Sequence, residues 1–200
     1  MAGGILVVLF LLSSAGVDAA DDNYAATAVV RIDNLVPVPA DYLAFAQSRA
    51  AEVFSRIGVH VTWIDEQTAV RDHVRPPFTV VLIKSGPELS VRSGVVDALG
   101  FAAPSVSRAH IVYDRIVKLA PLPATMLGDV IAHELGHLLL PSPGHSARGI
   151  MRPGVDVQLR PIETFTDPQA RQIVARLSQI RLSRSDDRSG QSDRSGGSER

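Results

Sequence analysis

VIAHELGHLLLPSPGHSARGIM, residues 130–151, decides the reading of this 200-residue chain. It contains His133-Glu134-Leu135-Gly136-His137, an H-E-x-x-H pattern inside a segment of helical periodicity. His133 and His137 are four apart, so they stand one turn apart on one helix face. Two imidazoles at that spacing can grip one tetrahedral Zn²⁺ from the same side. Glu134 follows the first His and points about 100° further round the axis. From there its carboxylate can reach a metal-held water without becoming a ligand, which is the geometry of a general base beside a Lewis-acidic metal.

The neighbouring residues extend this helix in both directions. Leu127, Ile131, Leu135 and Leu138 form one apolar stripe, with the two His on the opposite side of the wheel. One face is therefore expected to pack on a core while the other lines a cleft, with the helix starting near Thr125. Gly136 costs about 1 kcal/mol relative to Ala in a helix interior, so something is expected to approach closely there. Pro141 ends the helix, because the residue before a proline avoids the α region. Pro143-Gly144 reads as a turn, and His145 follows it. A helix, a turn and a third His can close a three-ligand site with one open position, as a catalytic zinc requires. An acidic third ligand from further on is the rival, with Glu163 and Asp156 as its candidates. Glu163 lies beyond Pro153 and Pro161 with no helix to aim it, which favours His145.

The run resembles the zinc-binding region of the metzincin clan of metallopeptidases, whose extended pattern is H-E-x-x-H-x-x-G-x-x-H followed by a methionine turn. On that resemblance His133 and His137 match the helical ligands, Glu134 the base, His145-Ser146 the third ligand with its frequent following serine, and Met151 the methionine of the turn. The chain departs from the pattern at Leu140, where the clan has glycine, and His145 falls two residues later than the clan spacing. The resemblance covers residues 125–151. It implies an α+β fold, a twisted mixed β-sheet with an active-site helix and a C-terminal helix. It also implies zinc as cofactor and peptide or protein as substrate.

Composition bounds the rest. At 46% hydrophobic residues the chain has enough apolar content for one real core. A net charge of −1 argues against a nucleic-acid partner. With no cysteine there is no disulfide framework, thiolate metal site, thiol nucleophile or acylated anchor. Residues 1–20 read as a secretory signal peptide: an unbroken apolar run at 5–12, too short for a membrane span, then Val17-Asp18-Ala19 as a small-residue cleavage pattern. The expectation is a secreted or cell-envelope protein with no stable membrane span after cleavage. Residues 21–182 would form the metallopeptidase-like domain. Residues 183–200 are Ser, Gly, Arg and Asp with almost nothing apolar, and read as a disordered tail.

Along the domain, residues 25–32 (AATAVVRI), 59–64 (VHVTWI) and 78–83 (FTVVLI) read as strands. Residues 40–57 read as a helix, with Leu43, Ala46, Ala50, Val53, Phe54 and Ile57 on one face and Gly58 as its stop. Residues 65–77 read as a polar loop, 85–104 as an irregular edge strand and loop, and 109–116 (AHIVYDRI) as another strand. His60, His110 and Tyr113 are expected to be structural and His73 solvated. Thr166-Asp167-Pro168 starts a last helix, packed through Ala170, Ile173, Val174, Leu177 and Ile180. The sequence alone leaves two functions open. One is a zinc endopeptidase with Glu134 as general base. The other is a non-catalytic binding protein that keeps a structural zinc, which the intact Glu134 disfavours because a structural site needs no base.

Overall fold

The computed structural model describes residues 24–71, 75–86, 98–154 and 161–192. It is a mixed α+β fold around one five-stranded, mostly parallel sheet. In chain order the elements are β1 (Ala26–Asn34), α1 (Ala40–Ser55), β2 (Val59–Ile64), α2 (Glu66–Arg71), β3 (Phe78–Ile83), β4 (Gly100–Ala103), a 3₁₀ turn (Pro104–Val106), β5 (Arg108–Val112), α3 (Tyr113–Leu119), α4 (Pro123–Leu139) and α5 (Asp167–Ser192). The strand order is β2-β1-β3-β5-β4. β1, β2, β3 and β5 run parallel, and only β4 is antiparallel, to β5. β4 is thus an outer strand, with Phe101 opposite His110 and Ala103 opposite Arg108.

Alternation along β1 sends Ala28, Val30 and Ile32 into the core, as expected for a strand covered by helices on that face. β3 lies in the middle and is buried almost throughout, from Phe78 to Leu82, which explains its continuous apolar run. α1 and α4 pack together on the sheet. Ala46, Ala50, Val53 and Phe54 of α1 meet a face of α4 formed by Leu127, Ile131, Leu135 and their neighbours. They approach closely at Gly128, where a Cβ would lie 2.7 Å from Arg49 Cβ and 2.8 Å from the Ala46 carbonyl oxygen. Arg49 then reaches across to Asp129 through Nε at 2.8 Å and Nη2 at 3.1 Å. The rigid partner of the H-E-x-x-H helix is therefore α1, which lies over eighty residues earlier in the chain.

Several elements differ from the sequence reading. The polar segment after β2 is in part a helix, α2, begun by Asp65, whose Oδ1 accepts from the Thr68 amide at 2.6 Å. That contact, with a second one from the Thr68 side chain, holds the Asp65 carboxyl below its usual range. The strand expected over 109–116 stops at Val112, and Tyr113 starts α3. Asp114, in the first turn of α3, accepts from both the amide and the hydroxyl of Ser85. This ties the end of β3 to the helix, which alternation alone could not reveal. α4 begins at Pro123, two residues before the expected start, with proline in the first turn where its missing N–H costs nothing. The edge strand expected in 85–104 is β4 at its end, while residues 87–97 lie outside the described residues. α5 continues to Ser192, so residues 183–192 are helical where a disordered tail was expected. The signal-peptide reading of residues 1–20, His73, and residues 193–200 fall outside the described residues. Among the described residues no helix is long and apolar enough to cross a membrane.

Candidate metal centre

His133 and His137 stand on the face of α4 turned away from the core stripe, and both are part-buried. Nε2 of His137 lies 3.1 Å from Nε2 of His133 and 3.1 Å from Nε2 of His145. The rings do not stack. They meet edge to face, at 75° for the helical pair and 77° for His137 with His145. Each ring thereby presents its edge nitrogen to a common centre. Three His side chains, each offering one nitrogen within 4.8 Å of the others, lie close enough to bind a metal ion.

Protonation suits that role. His133 Nδ1 donates to the Ile150 carbonyl oxygen at 2.8 Å. A carbonyl can only accept, so Nδ1 carries the proton and Nε2 keeps its lone pair. Burial, with His145 nearby, pushes the His133 pKa down against a smaller upward pull from that carbonyl. His137 is pushed down to about 4, by burial first and then by His133 and His145. Both rings are therefore neutral at pH 7, the form that binds a metal without first losing a proton.

Glu134 is buried at 6% exposure. Its carboxylate packs on the outer strand, where a Cβ at Gly100 would lie 2.8 Å from Glu134 Cγ and 3.0 Å from Oε1. Glycine at that position makes room for the acid between α4 and β4. Desolvation raises the Glu134 pKa to about 8, so the carboxyl titrates near neutral pH and can both take and give a proton.

The third His arrives on a loop anchored by buried Leu140 and Met151 at its ends and by hydrogen bonds between them. The chain leaves α4 at Leu140, passes a cis Ser142–Pro143 bond and turns at Gly144 with φ +70. An L side chain there would be strained, and its Cβ would sit 3.1 Å from His137 Nδ1. The Ser146 amide donates to the Met151 carbonyl oxygen at 3.0 Å, and the Ile150 amide to that of Thr164 at 3.0 Å. Ile150 thus receives His133 through its carbonyl and is itself anchored by the segment leading into α5. Met151 is fully buried beneath the site. A Cβ at Gly136 would collide with its sulfur and lie 2.9 Å from Phe165 Cε1. This is the close approach that the helical glycine signalled. Phe165 in turn packs at 4.9 Å on Phe54 of α1, so the floor of the site belongs to the core.

Of the residues singled out in the sequence, His133, His137 and His145 come together, Glu134 lies beside them on α4, and Met151 lies underneath. Glu163 does not join them; its Oε1 faces Arg152 Nη2 at 3.7 Å. Asp156 is outside the described residues. His110 stacks on Phe101 at 4.7 Å and His60 meets Tyr24 at 5.2 Å; neither is in the cluster. The sequence reading missed Gly100 and Gln169. Gln169 is buried and donates from Nε2 to the Gly144 carbonyl oxygen at 2.9 Å. A signal for it existed, since Thr166-Asp167-Pro168-Gln169 is a T-x-x-Q capping box. No known family model matches this chain, and no curated protein matches it.

Proposed function

We propose that the chain is a zinc-dependent endopeptidase of metzincin type, acting outside the cytoplasm. The observation that carries this reading is a three-His cluster with a buried carboxylate, Glu134, between two of its members along the same helix. With no cysteine available, imidazole is the donor, and imidazole suits zinc. Zinc–nitrogen bonds of about 2.0–2.1 Å in a tetrahedron separate ligand nitrogens by roughly 3.3 Å, close to the 3.1 Å separations here. Three protein ligands leave a fourth position open, whereas a purely structural zinc is closed by four. That difference favours catalysis over a binding protein with a structural metal.

A zinc held by His133, His137 and His145 would supply Lewis acidity toward a peptide carbonyl and would make a water in the cleft more acidic. Glu134 would accept the proton of the attacking water and return it to the leaving amine. A neighbouring cation favours its ionised form, while burial keeps it basic enough to work near pH 7. β4 offers the substrate a place to lie. The Val112 amide donates to the Leu99 carbonyl, so residues 99, 101 and 103 face β5 in the antiparallel ladder. The N–H and C=O groups of Gly100 and Ala102 then point outward, where an extended peptide can add as a further strand beside Glu134.

Glu134→Gln tests the reading. The amide fills the same space but cannot accept the proton. Zinc content should stay at wild-type level while kcat on a peptide library falls about 10²–10⁴-fold. Wild-type cleavage by this variant would remove the proposal.

A further inference from the structure

The loop that carries His145 is joined to α5 by one side chain, and the chemistry of that side chain is unambiguous. Gln169 Oε1 accepts from the Thr166 amide at 3.1 Å and from the Thr166 hydroxyl at 3.0 Å. Its Nε2 donates to the Gly144 carbonyl oxygen at 2.9 Å. Only this orientation of the amide works, because the Thr166 N–H can only donate and the Gly144 carbonyl can only accept. The two ends of Gln169 therefore do different jobs. Oε1 closes the N-terminus of α5, as the acid or amide of any capping box does. Nε2 crosses twenty-five residues of sequence to hold the residue immediately before His145. Helix capping needs only the acceptor, so glutamate would serve it equally well. The donor is spent on the loop alone.

Apart from its contacts with the His133 and His137 rings, His145 has little other support. It is exposed, unlike His133 and His137, and among the described residues no backbone–backbone hydrogen bond ties residues 141–145 to the core. The next fixed point is the Ser146 amide on Met151. Gly144 also lies under the His137 ring, 3.1 Å from Nδ1 by its would-be Cβ. Holding Gly144 thus sets both the reach of His145 and the seat of His137.

We propose that Gln169 is the positioning residue for the third ligand: through Nε2 it fixes Gly144, and so brings His145 Nε2 onto the metal centre. This rests on the zinc reading above. It makes α5 a structural part of the site, although among the described residues none of its side chains belongs to the His cluster.

The test uses the full chain with three substitutions. Gln169→Glu keeps the acceptor for the α5 cap and loses the donor. Gln169→Leu loses both. Thr166→Val keeps the donor to Gly144 and weakens only the cap. Zn²⁺ affinity is measured by competition with a chromophoric chelator. Amide exchange of Ser146 is followed in the metal-free protein. The expected result is a 10–100-fold loss of Zn²⁺ affinity for both Gln169 variants, the range typical of partners that orient a ligand. Ser146 exchange should be faster in both. Thr166→Val should lower the melting temperature yet bind Zn²⁺ like wild type. Unchanged affinity and unchanged exchange in Gln169→Glu overturn the proposal while leaving the zinc reading intact. If wild type binds no Zn²⁺ but Ser146 exchange still accelerates in Gln169→Glu, the zinc reading fails and the loop tether stands.

Discussion

The two halves of the candidate metal centre are built by opposite means. His133, Glu134 and His137 sit on α4, whose other face is buried against α1 and the sheet, with Leu127 and Ile131 at 0% exposure. Apolar packing fixes that helix, and the helical repeat then fixes the spacing of its side chains. His145 is exposed and sits on an irregular loop. Hydrogen bonds from Gln169, and those joining Ser146 to Met151 and Ile150 to Thr164, fix it instead. Packing is collective, so it tolerates the loss of one contact. A set of three hydrogen bonds does not, because each net bond is worth only about 0.5–1.5 kcal/mol. The helix half should therefore fail through core substitutions, and the loop half through single polar ones.

The largest expected effect comes from removing a helical ligand. His137 Nε2 is the atom common to both close nitrogen contacts, so His137→Ala should leave no measurable zinc and no peptide hydrolysis. Metal analysis of the dialysed variant checks this. Retention of one zinc per chain would mean that the centre lies elsewhere. The next effect probes the packing below. Gly136→Ala gains about 1 kcal/mol of helix propensity but drives a methyl into Met151 and Phe165, and overpacking of this kind costs about 1–3 kcal/mol. A lower melting temperature is expected, with weaker zinc binding because Met151 shares its turn with Ile150. A rise in melting temperature would show that the floor is loose.

A smaller effect separates the groups by pH in the metal-free protein. The His137 pKa is depressed to about 4, so its contribution to stability is present above the unfolded value near 6.5 and is lost as pH falls through 4. Glu134 is raised to about 8. Its contribution is full below the unfolded value near 4.5 and is lost as pH rises through 8. Glu134→Gln abolishes only the second dependence. The melting temperature of the metal-free variant should match wild type at pH 4, exceed it increasingly from 4.5 to 8, and keep a constant lead above. A lead that does not change with pH would mean that Glu134 is solvated in the folded state.

What was legible in the sequence follows the same division. The H-E-x-x-H helix, its apolar stripe and the meaning of Gly136 were readable because a helix repeats within a few residues. The parallel strands were readable from their apolar runs. Tyr113 and Asp114 were misread as strand because the deciding contact, with Ser85, is twenty-nine residues away. The edge position of β4 was readable, but its antiparallel pairing with β5 was hidden, because pairing order depends on the whole sheet. Gly100 has no local reason to be glycine and is explained by the Glu134 carboxyl and the His110 carbonyl oxygen, both of which a Cβ there would meet. Gln169 was visible as part of a capping box, yet only half of what it does is local. His145 was chosen from its turn and its place after His137, and the nitrogen distances agree with that choice.

The central claim is that a loop histidine, not an acidic residue further along, completes the metal centre. The direct measurement is zinc stoichiometry and affinity of His145→Ala beside Glu163→Ala in the full chain. The expected result is a large loss of affinity in the first and one tightly held zinc in the second, because Glu163 faces Arg152 and stands outside the cluster. Wild-type zinc binding by His145→Ala together with loss of zinc in Glu163→Ala would contradict the account.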